Sequence, residues 1–323
     1  MARAPAPAGS GPAPVDASVF GVLAPSVRDP AVTDVFLNPD GSVWVDRGSG
    51  SEAIEGMRVP APEARELATR LIAAGGRHVD EAHPCTDVRL GAGIRVHAVL
   101  PPVSPRGAVL SIRLPRARPF RLDELEAAGS LAPVGASALR SLVRARTNLL
   151  ITGAGGSGKT TLLGALLGEA PRQERIVLVE DVAELRVAHP HVIALEARQA
   201  NLDGAGAIGL DRLVRESLRM RPDRLVVGEC RGAELRDLLA ALNTGHDGGA
   251  GTMHANSLAD VPARLEALGA IAGLSADAVA RQAVSAFGAV LHVARTTDGS
   301  RQLAAIGRLV LRRGALSVEE APP

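Results

Sequence analysis

The sequence is poor in aromatic residues, cysteine and long apolar runs, and each shortage excludes a class of protein. Four Phe, one Trp and no Tyr leave it without the interleaved aromatic side chains on which single-stranded nucleic acids stack. Cys85 and Cys230 are isolated and cannot form a metal framework, so we expect both to pack as small buried apolar residues in a reducing compartment. No apolar run reaches the roughly 18 residues of a transmembrane helix, so none is predicted.

An excess of one charge sign is also missing, since 36 Lys and Arg against 35 Asp and Glu give a net charge of +1. This balance argues against a bulk nucleic-acid or membrane-surface binder, although a local basic patch stays open. The first 15 residues lack the apolar core of a signal peptide, and their Pro, Ala and Gly predict a disordered tail. We therefore expect a soluble, cytoplasmic protein with no direct nucleic-acid partner.

The 323 residues are enough for two domains, and the two halves of the chain differ in pattern. In the first half, short strand patterns flank a turn at Asn38-Pro39-Asp40-Gly41, which predicts an antiparallel α+β domain. In the second half, strand and helix patterns alternate, which predicts an α/β domain with a mostly parallel sheet and helices on both faces, ending in a hairpin around Asp298-Gly299. The predicted segments are a disordered tail at 1–15, an N-terminal domain at 16–114, a linker at 115–125, the α/β domain at 126–315 and a flexible tail at 316–323.

The only lysine of this arginine-rich chain, Lys159, lies in the segment GAGGSGKTT at 153–161. The segment matches the phosphate-loop pattern, in which glycines turn backbone N–H groups toward one point at a helix N-terminus. A compact ammonium on a slim stem enters such a loop better than a planar guanidinium does. The flanking strand and helix disfavour the rival interpretation, a glycine-rich loop beside a chance lysine. The residues predicted to bind a nucleoside triphosphate are Gly153, Ala154, Gly155, Gly156, Ser157, Gly158, Lys159, Thr160 and Thr161, with Thr160 also as the Mg²⁺ ligand.

Carboxylates follow two further predicted strands. Glu180 ends one strand, Glu184 is expected one helical turn beyond it, and Glu229 ends another strand. The carboxyl ends of parallel strands share one edge of the sheet with the phosphate loop, where a carboxylate can hold Mg²⁺ through water or orient an attacking water. A single such glutamate is more often a solvated loop charge, whereas two beside a phosphate loop favour a function.

A glycine-rich segment at 243–257 carries His246 and His254. Such a loop can bring imidazoles against a phosphate. A zinc site is a rival interpretation, but no cysteine or third good ligand lies nearby. A merely structural loop also stays open.

The series GAGGSGKTT, EDVAEL, RMRPDRLVVGECRGAE and NTGHDGGAGTMHANS resembles, in order and spacing, the type II/type IV secretion ATPases over about 30–310. In that family these motifs are the Walker A motif, the Asp box, an atypical Walker B motif and the His box. The fit is closest to the tight-adherence (Flp) pilus branch, whose actinobacterial members often carry the label conjugal transfer. Many relatives have Thr where Gly156 stands.

The resemblance implies a hexameric motor with a RecA-like P-loop ATPase C-terminal domain, a smaller N-terminal domain, and ATP with Mg²⁺ between the two. It also implies an inner-membrane platform protein of a pilus or secretion machine as partner, and a location at the cytoplasmic face of the membrane. On this hypothesis Glu229 polarises the attacking water and Glu184, with Glu180, tunes water or metal. His254, with His246, senses the γ-phosphate.

The family also implies arginines of the N-terminal domain that reach the phosphates. By period-two alternation Arg89, Arg95 and Arg113 fall on the non-core face of neighbouring strands, although roughly every ninth residue is Arg. Two alternatives remain: a DNA-translocating ATPase of the same core fold, and a nucleotide-binding assembly scaffold without turnover. Net charge and scarce aromatics argue against the first, and the intact motif set against the second.

Overall fold

The computed structural model describes residues 16–48, 50–91, 93–114, 118–198, 206–297 and 299–321. The chain divides into two compact units, Met1–Ala117 and Arg118–Pro323. The predicted tail at 1–15 lies outside the described residues.

The first unit is an antiparallel sheet with helices packed on it, as predicted. Its strands are β1 (Asp34–Leu37), β2 (Ser42–Asp46), β3 (Ser51–Arg58), β4 (Cys85–Leu90), β5 (Ile94–Val99) and β6 (Val109–Arg113), in the spatial order β3-β2-β1-β6-β5-β4. A 3₁₀ helix (Ala17–Leu23), α1 (Ala24–Arg28) and α2 (Ala61–Ala74) accompany them. Phe20, Leu67 and Leu71 join the inward-facing strand residues in one core. The predicted turn is present: Gly41 adopts a φ of +81° and donates its N–H to the Asn38 carbonyl at 2.9 Å.

The second unit is built on an eight-stranded sheet. Its strands are β7 (Leu149–Gly153), β8 (Ile176–Glu180), β9 (Val192–Glu196), β10 (Arg224–Val227), β11 (Ala250–His254), β12 (Ala289–Arg295), β13 (Arg301–Arg312) and β14 (Ala315–Ala321), in the order β14-β13-β12-β7-β11-β10-β8-β9. Six neighbouring strands of this order, β12-β7-β11-β10-β8-β9, pair in parallel. β13 pairs antiparallel with both β12 and β14. The mostly parallel sheet is therefore confirmed, with β12 and β13 forming the expected antiparallel hairpin.

Helices cover both faces of this sheet. They are α3 (Leu122–Ala127), α4 (Gly135–Arg144), α5 (Lys159–Leu167), α6 (Leu210–Leu218), α7 (Glu234–Leu242), α8 (Val261–Ile271) and α9 (Ala276–Ala286). Alternate residues of β7 enter different cores, since Leu150 packs with residues of α6 to α9 and Ile151 with residues of α3 to α5. This alternation is the signature of a strand buried on both sides.

Three expectations about local structure differ from what is observed. Leu122 and Leu125 lie in the core of the second unit, so the later part of the predicted linker 115–125 belongs to that unit. The predicted flexible tail at 316–323 is strand β14 through Ala321, because Leu316 finds a buried place beside β13. Cys230 is buried as expected, but Cys85 is exposed because it begins an outer strand of the first sheet.

Among the described residues, no helix is long and apolar enough to cross a membrane.

Candidate nucleotide site

The segment predicted as a phosphate loop connects β7 to α5. All five residues of β7 are buried, and α5 begins at Lys159 directly after Gly158. Gly153, Gly156 and Gly158 have φ values of +153°, +69° and +102°, a backbone range that L side chains rarely adopt. A Cβ on Gly153 would stand 2.2 Å from the Val293 carbonyl oxygen. Backbone conformation therefore requires all three glycines, and at Gly153 the lack of space requires it as well.

Lys159 is folded into its own loop. The residue is only 7% exposed, and its Nζ donates to the carbonyl oxygens of Gly153 and Ala154 at 2.9 Å each. Burial lowers the Lys159 pKa, and the nearby Glu229 carboxylate opposes that effect. An ammonium has three N–H donors, so two are used by the loop and a third can serve a phosphate oxygen.

The loop residues fit a phosphate group. Ser157 is 1% exposed, and its Oγ has no hydrogen-bond partner among the described residues, so it is a polar atom that a bound ligand could satisfy. Thr160, in the first turn of α5, is partly exposed, and Thr161 is exposed. The described residues include no cluster of three or more His, Cys, Asp or Glu that could hold a metal. The Thr160 hydroxyl suits Mg²⁺ as a single protein ligand beside phosphate oxygens and water.

Strand order brings His254 between the loop and Glu229. β11 lies between β7 and β10, and His254 at its end is the Cα partner of Gly153. Its Cε1 would lie 3.7 Å from a Cβ placed on Gly155, so the imidazole borders the loop. His254 Nε2 is 2.6 Å from Glu229 Oε1. The structure thus brings the two predicted residues together beside the loop.

Burial and nearby cations oppose protonation of His254. Burial lowers the His254 pKa, the Lys159 ammonium lowers it further, and Glu229 acts in the opposite direction. Lys159, Glu229 and His254 therefore form one electrostatically coupled group.

Glu229 has a further partner that the sequence analysis missed. Arg231 Nη2 donates to Glu229 Oε2 at 2.7 Å, and Arg231 Nη1 lies 4.0 Å from Asp181 Oδ2. Glu229 and Arg231 are only two positions apart in the sequence. Side chains two positions apart in an extended segment lie on the same side, so this alternation could have predicted the pair. Both carboxylate oxygens of Glu229 thus contact cationic or imidazole nitrogens.

Glu180 and Glu184 occupy different environments. Glu180 is 4% exposed, and its Oε1 accepts the N–H groups of Glu184 and Leu185 at 2.9 Å each. The segment after β8 is therefore not the helical turn that was expected, because the buried carboxylate folds the backbone back onto itself. Glu184 is exposed and acts on Lys159 by opposing the lowering of its pKa.

His246 is not brought to the loop of its own chain. It precedes Ala250, the first residue of β11, whereas the loop follows the last residue of the parallel strand β7. Its Nδ1 lies 3.2 Å from the Ala241 carbonyl oxygen at the end of α7. His246 and His254 therefore lie beyond opposite ends of the parallel strands.

The three predicted arginines form a row in the first unit. Arg89 is the Cα partner of Arg95, Arg95 is the partner of Arg113, and Arg113 is the partner of Asp34. Arg113 Nε is 3.8 Å from Asp34 Oδ1. Like charges directly opposite one another on a sheet are unfavourable.

Comparison with known proteins places this site in a family. The sequence profile described as type II/IV secretion system protein matches residues 19–300. The chain is 48% identical over 295 residues to a Mycobacterium tuberculosis protein provisionally named a conjugal transfer protein, covering 90% of this chain and 84% of that relative. It is 34% identical over 252 residues to conjugal transfer protein TrbB of Rhizobium radiobacter, covering 76% of this chain and 75% of the relative.

Solved structures share the fold. The pilus retraction motor PilT with bound ADP superposes with a TM-score of 0.60 at 18% identity, covering 95% of this chain and 83% of that chain. The Legionella pneumophila ATPase DotB gives 0.57 at 19% identity, covering 85% and 76%. The expected architecture, a RecA-like domain preceded by a smaller domain, is thereby confirmed. The profile match and the identity to these relatives show that the chain belongs to the type II/IV secretion system protein family.

Proposed function

We propose that this chain is an ATP-hydrolysing motor subunit that powers pilus assembly or the secretion of macromolecules. The observation that carries the proposal is the position of Glu229, which contacts His254 beside the buried Lys159 at the edge where the phosphate loop opens. A loop alone supports nucleotide binding. A carboxylate placed beside it supports turnover, because hydrolysis needs a group that orients the attacking water.

Each residue has a defined part in this proposal. The loop N–H groups and Lys159 bind the β- and γ-phosphates, and Thr160 would hold Mg²⁺, which would supply charge neutralisation there. Glu229 accepts the proton of the water that attacks the γ-phosphorus, while the bond to the ADP oxygen breaks.

The neighbouring residues take supporting parts. His254, already in contact with Glu229, senses the γ-phosphate. Glu184 tunes the field at Lys159, and Glu180 holds the segment that carries Glu184. Arg89, Arg95 and Arg113 bind phosphate charge. His246 stays a prediction to which the geometry of a single chain lends no support.

The assembly is proposed from the family and from the names of relatives. Relatives are named for conjugal transfer and for type IV secretion, and a structural neighbour is a pilus retraction motor. We propose a homohexamer that works on an inner-membrane platform protein at the cytoplasmic face of the membrane. The tight-adherence pilus branch stays a prediction, as does the absence of a direct nucleic-acid partner.

Glu229→Gln tests the proposal because it keeps the shape of the side chain and removes its basic oxygen. Phosphate release by the full chain with ATP and Mg²⁺ should fall at least about 100-fold, the usual contribution of a general base. ATP affinity, measured by calorimetry, should change by less than about threefold, since the loop and Lys159 are intact. Glu55→Gln, at an exposed position on β3, is the matched control and should leave both values unchanged.

Three outcomes would contradict the proposal. Undiminished hydrolysis in Glu229→Gln would remove Glu229 from the mechanism. A folded wild-type protein that binds ATP without turnover would instead favour the scaffold alternative, and hydrolysis that requires added DNA would favour the DNA-translocating alternative.

A further inference from the structure

Two arginines of the β12–β13 hairpin converge on the phosphate loop from the side opposite Glu229. Arg295 ends β12, Arg301 begins β13, and their Cα atoms are partners in the ladder. Arg301 Nε donates to the Gly156 carbonyl oxygen at 2.9 Å, and Arg295 Nη2 lies 3.5 Å from the same oxygen. Because β12 runs parallel to β7 and in register with it, the hairpin emerges beside the loop that follows β7.

The hairpin also packs against both ends of the loop. A Cβ on Gly153 would stand 2.2 Å from the Val293 carbonyl oxygen, and a Cβ on Gly158 would stand 3.3 Å from Arg301 Cδ. The stem of Arg301 therefore lies over Gly158 while its guanidinium reaches Gly156. Adjacent cations on paired strands repel each other, and here they share one carbonyl acceptor, which offers two lone pairs.

The contact at Gly156 determines the direction of the next N–H group. A trans peptide holds its C=O and N–H on opposite sides, so turning the Gly156 carbonyl toward Arg301 turns the Ser157 N–H away from the hairpin. That N–H donates to the Ala154 carbonyl oxygen at 3.3 Å, which also accepts from Lys159 Nζ. A hydrogen bond from a guanidinium is roughly twice as strong as a neutral one. One side chain outside the loop thus orients a peptide on which the inner turn of the loop depends.

We propose that Arg301 is a positioning residue of the phosphate loop, which holds the Gly156–Ser157 peptide in the orientation that bound nucleotide requires, with Arg295 as a weaker support. The inference rests on the proposed function and adds to it that nucleotide affinity depends on the β12–β13 hairpin. The hairpin lies outside the loop, glutamate and histidine motifs that define the site.

The test is a titration of the full chain with a fluorescent N-methylanthraniloyl derivative of ADP, together with steady-state hydrolysis. Arg301→Ala should raise Kd about tenfold, as expected for the loss of a charged hydrogen bond, and leave kcat at saturating ATP within about threefold. Arg301→Lys keeps the charge but not the Nε–H group, so its Kd should lie between those of the wild type and Arg301→Ala. Arg295→Ala should raise Kd less than Arg301→Ala does, because its contact is longer. Arg308→Ala, exposed on the same strand, is the matched control and should change neither value.

A second measurement does not require nucleotide. Hydrogen–deuterium exchange of the peptide that contains Ser157 should be faster in Arg301→Ala than in the wild type, and unchanged in Arg308→Ala. Unchanged Kd and exchange in Arg301→Ala would overturn the inference, as would a loss confined to kcat. A wild type that binds no nucleotide would overturn the proposed function, while the exchange difference would still decide the inference. If Arg301→Ala does not fold, Arg301→Lys and Arg301→Gln supply the same comparison.

Discussion

Lys159 shows why a chain that otherwise uses arginine keeps one lysine. Its Nζ sits between two consecutive carbonyl groups, those of Gly153 and Ala154, in a residue that is almost fully buried. A guanidinium carries its donors in a broad planar fork that needs more width than an ammonium. The geometry of the loop, more than the charge, therefore selects lysine at this position.

The narrow space around Nζ predicts the behaviour of Lys159→Arg. The charge is kept, but the fork cannot serve both carbonyls from inside the loop, so we expect ADP affinity to fall at least about tenfold, which corresponds to about 1.4 kcal/mol. Calorimetric titration with ADP measures it, with circular dichroism to confirm folding. Wild-type affinity in Lys159→Arg would mean that charge alone is sufficient. The reverse exchange at an exposed position of the same unit, Arg308→Lys, serves as control.

The residues of the site differ in how far the sequence could predict them. The phosphate loop and Glu229 follow from local motifs, because each is placed by the end of a single strand. The Glu229–His254 contact could not be predicted, since it depends on β11 lying between β7 and β10. His246 was grouped with His254 because they are close in the chain, yet β11 separates them by its whole length.

At the scale of elements, period and length predicted the strands and helices with strong patterns. β3, β9 and β14 have exposed or mixed positions and so lack a clear alternation that the sequence could show. In the segment after β8, Glu184 was expected one helical turn beyond Glu180. The observed conformation follows from the buried Glu180 carboxylate, which accepts the backbone N–H groups of Glu184 and Leu185. In a helix these N–H groups would donate to backbone carbonyl oxygens instead.

β14 allows a matched test of whether the end of the sheet belongs to the folded unit. Leu316 on β14 and Leu311 on β13 are Cα partners, but Leu316 is 7% exposed and Leu311 is 42% exposed. Leu316→Ala should lower the free energy of unfolding by about 2 kcal/mol, the low end for a buried leucine. Leu311→Ala should change it by about 0.5 kcal/mol or less. Urea unfolding followed by circular dichroism compares them, and equal effects would show that β14 contributes nothing to the core.

At the scale of the whole molecule, the candidate groups are divided between the two units. The phosphate loop, Glu229 and His254 belong to the second unit, and the arginine row belongs to the first. Period-two alternation predicted the face of each arginine, but only the pairing of β4 with β5 and of β5 with β6 aligns them in one row. Whether the arginine row acts on the phosphate loop therefore needs a test of its own, apart from the presence of each group.

Arg113→Ala addresses that link in the full chain. If the row binds phosphate charge as it develops during hydrolysis, phosphate release should fall at least about tenfold while ADP affinity stays within about threefold. Arg58→Ala is the control, because Arg58 is also exposed in the first unit but donates to the Asp40 carbonyl at the far edge of the sheet. Equal losses of binding and hydrolysis would contradict a role confined to hydrolysis. Unchanged values for both would remove Arg113 from the site, and a mere loss of fold would lower the melting temperature of the nucleotide-free protein as well.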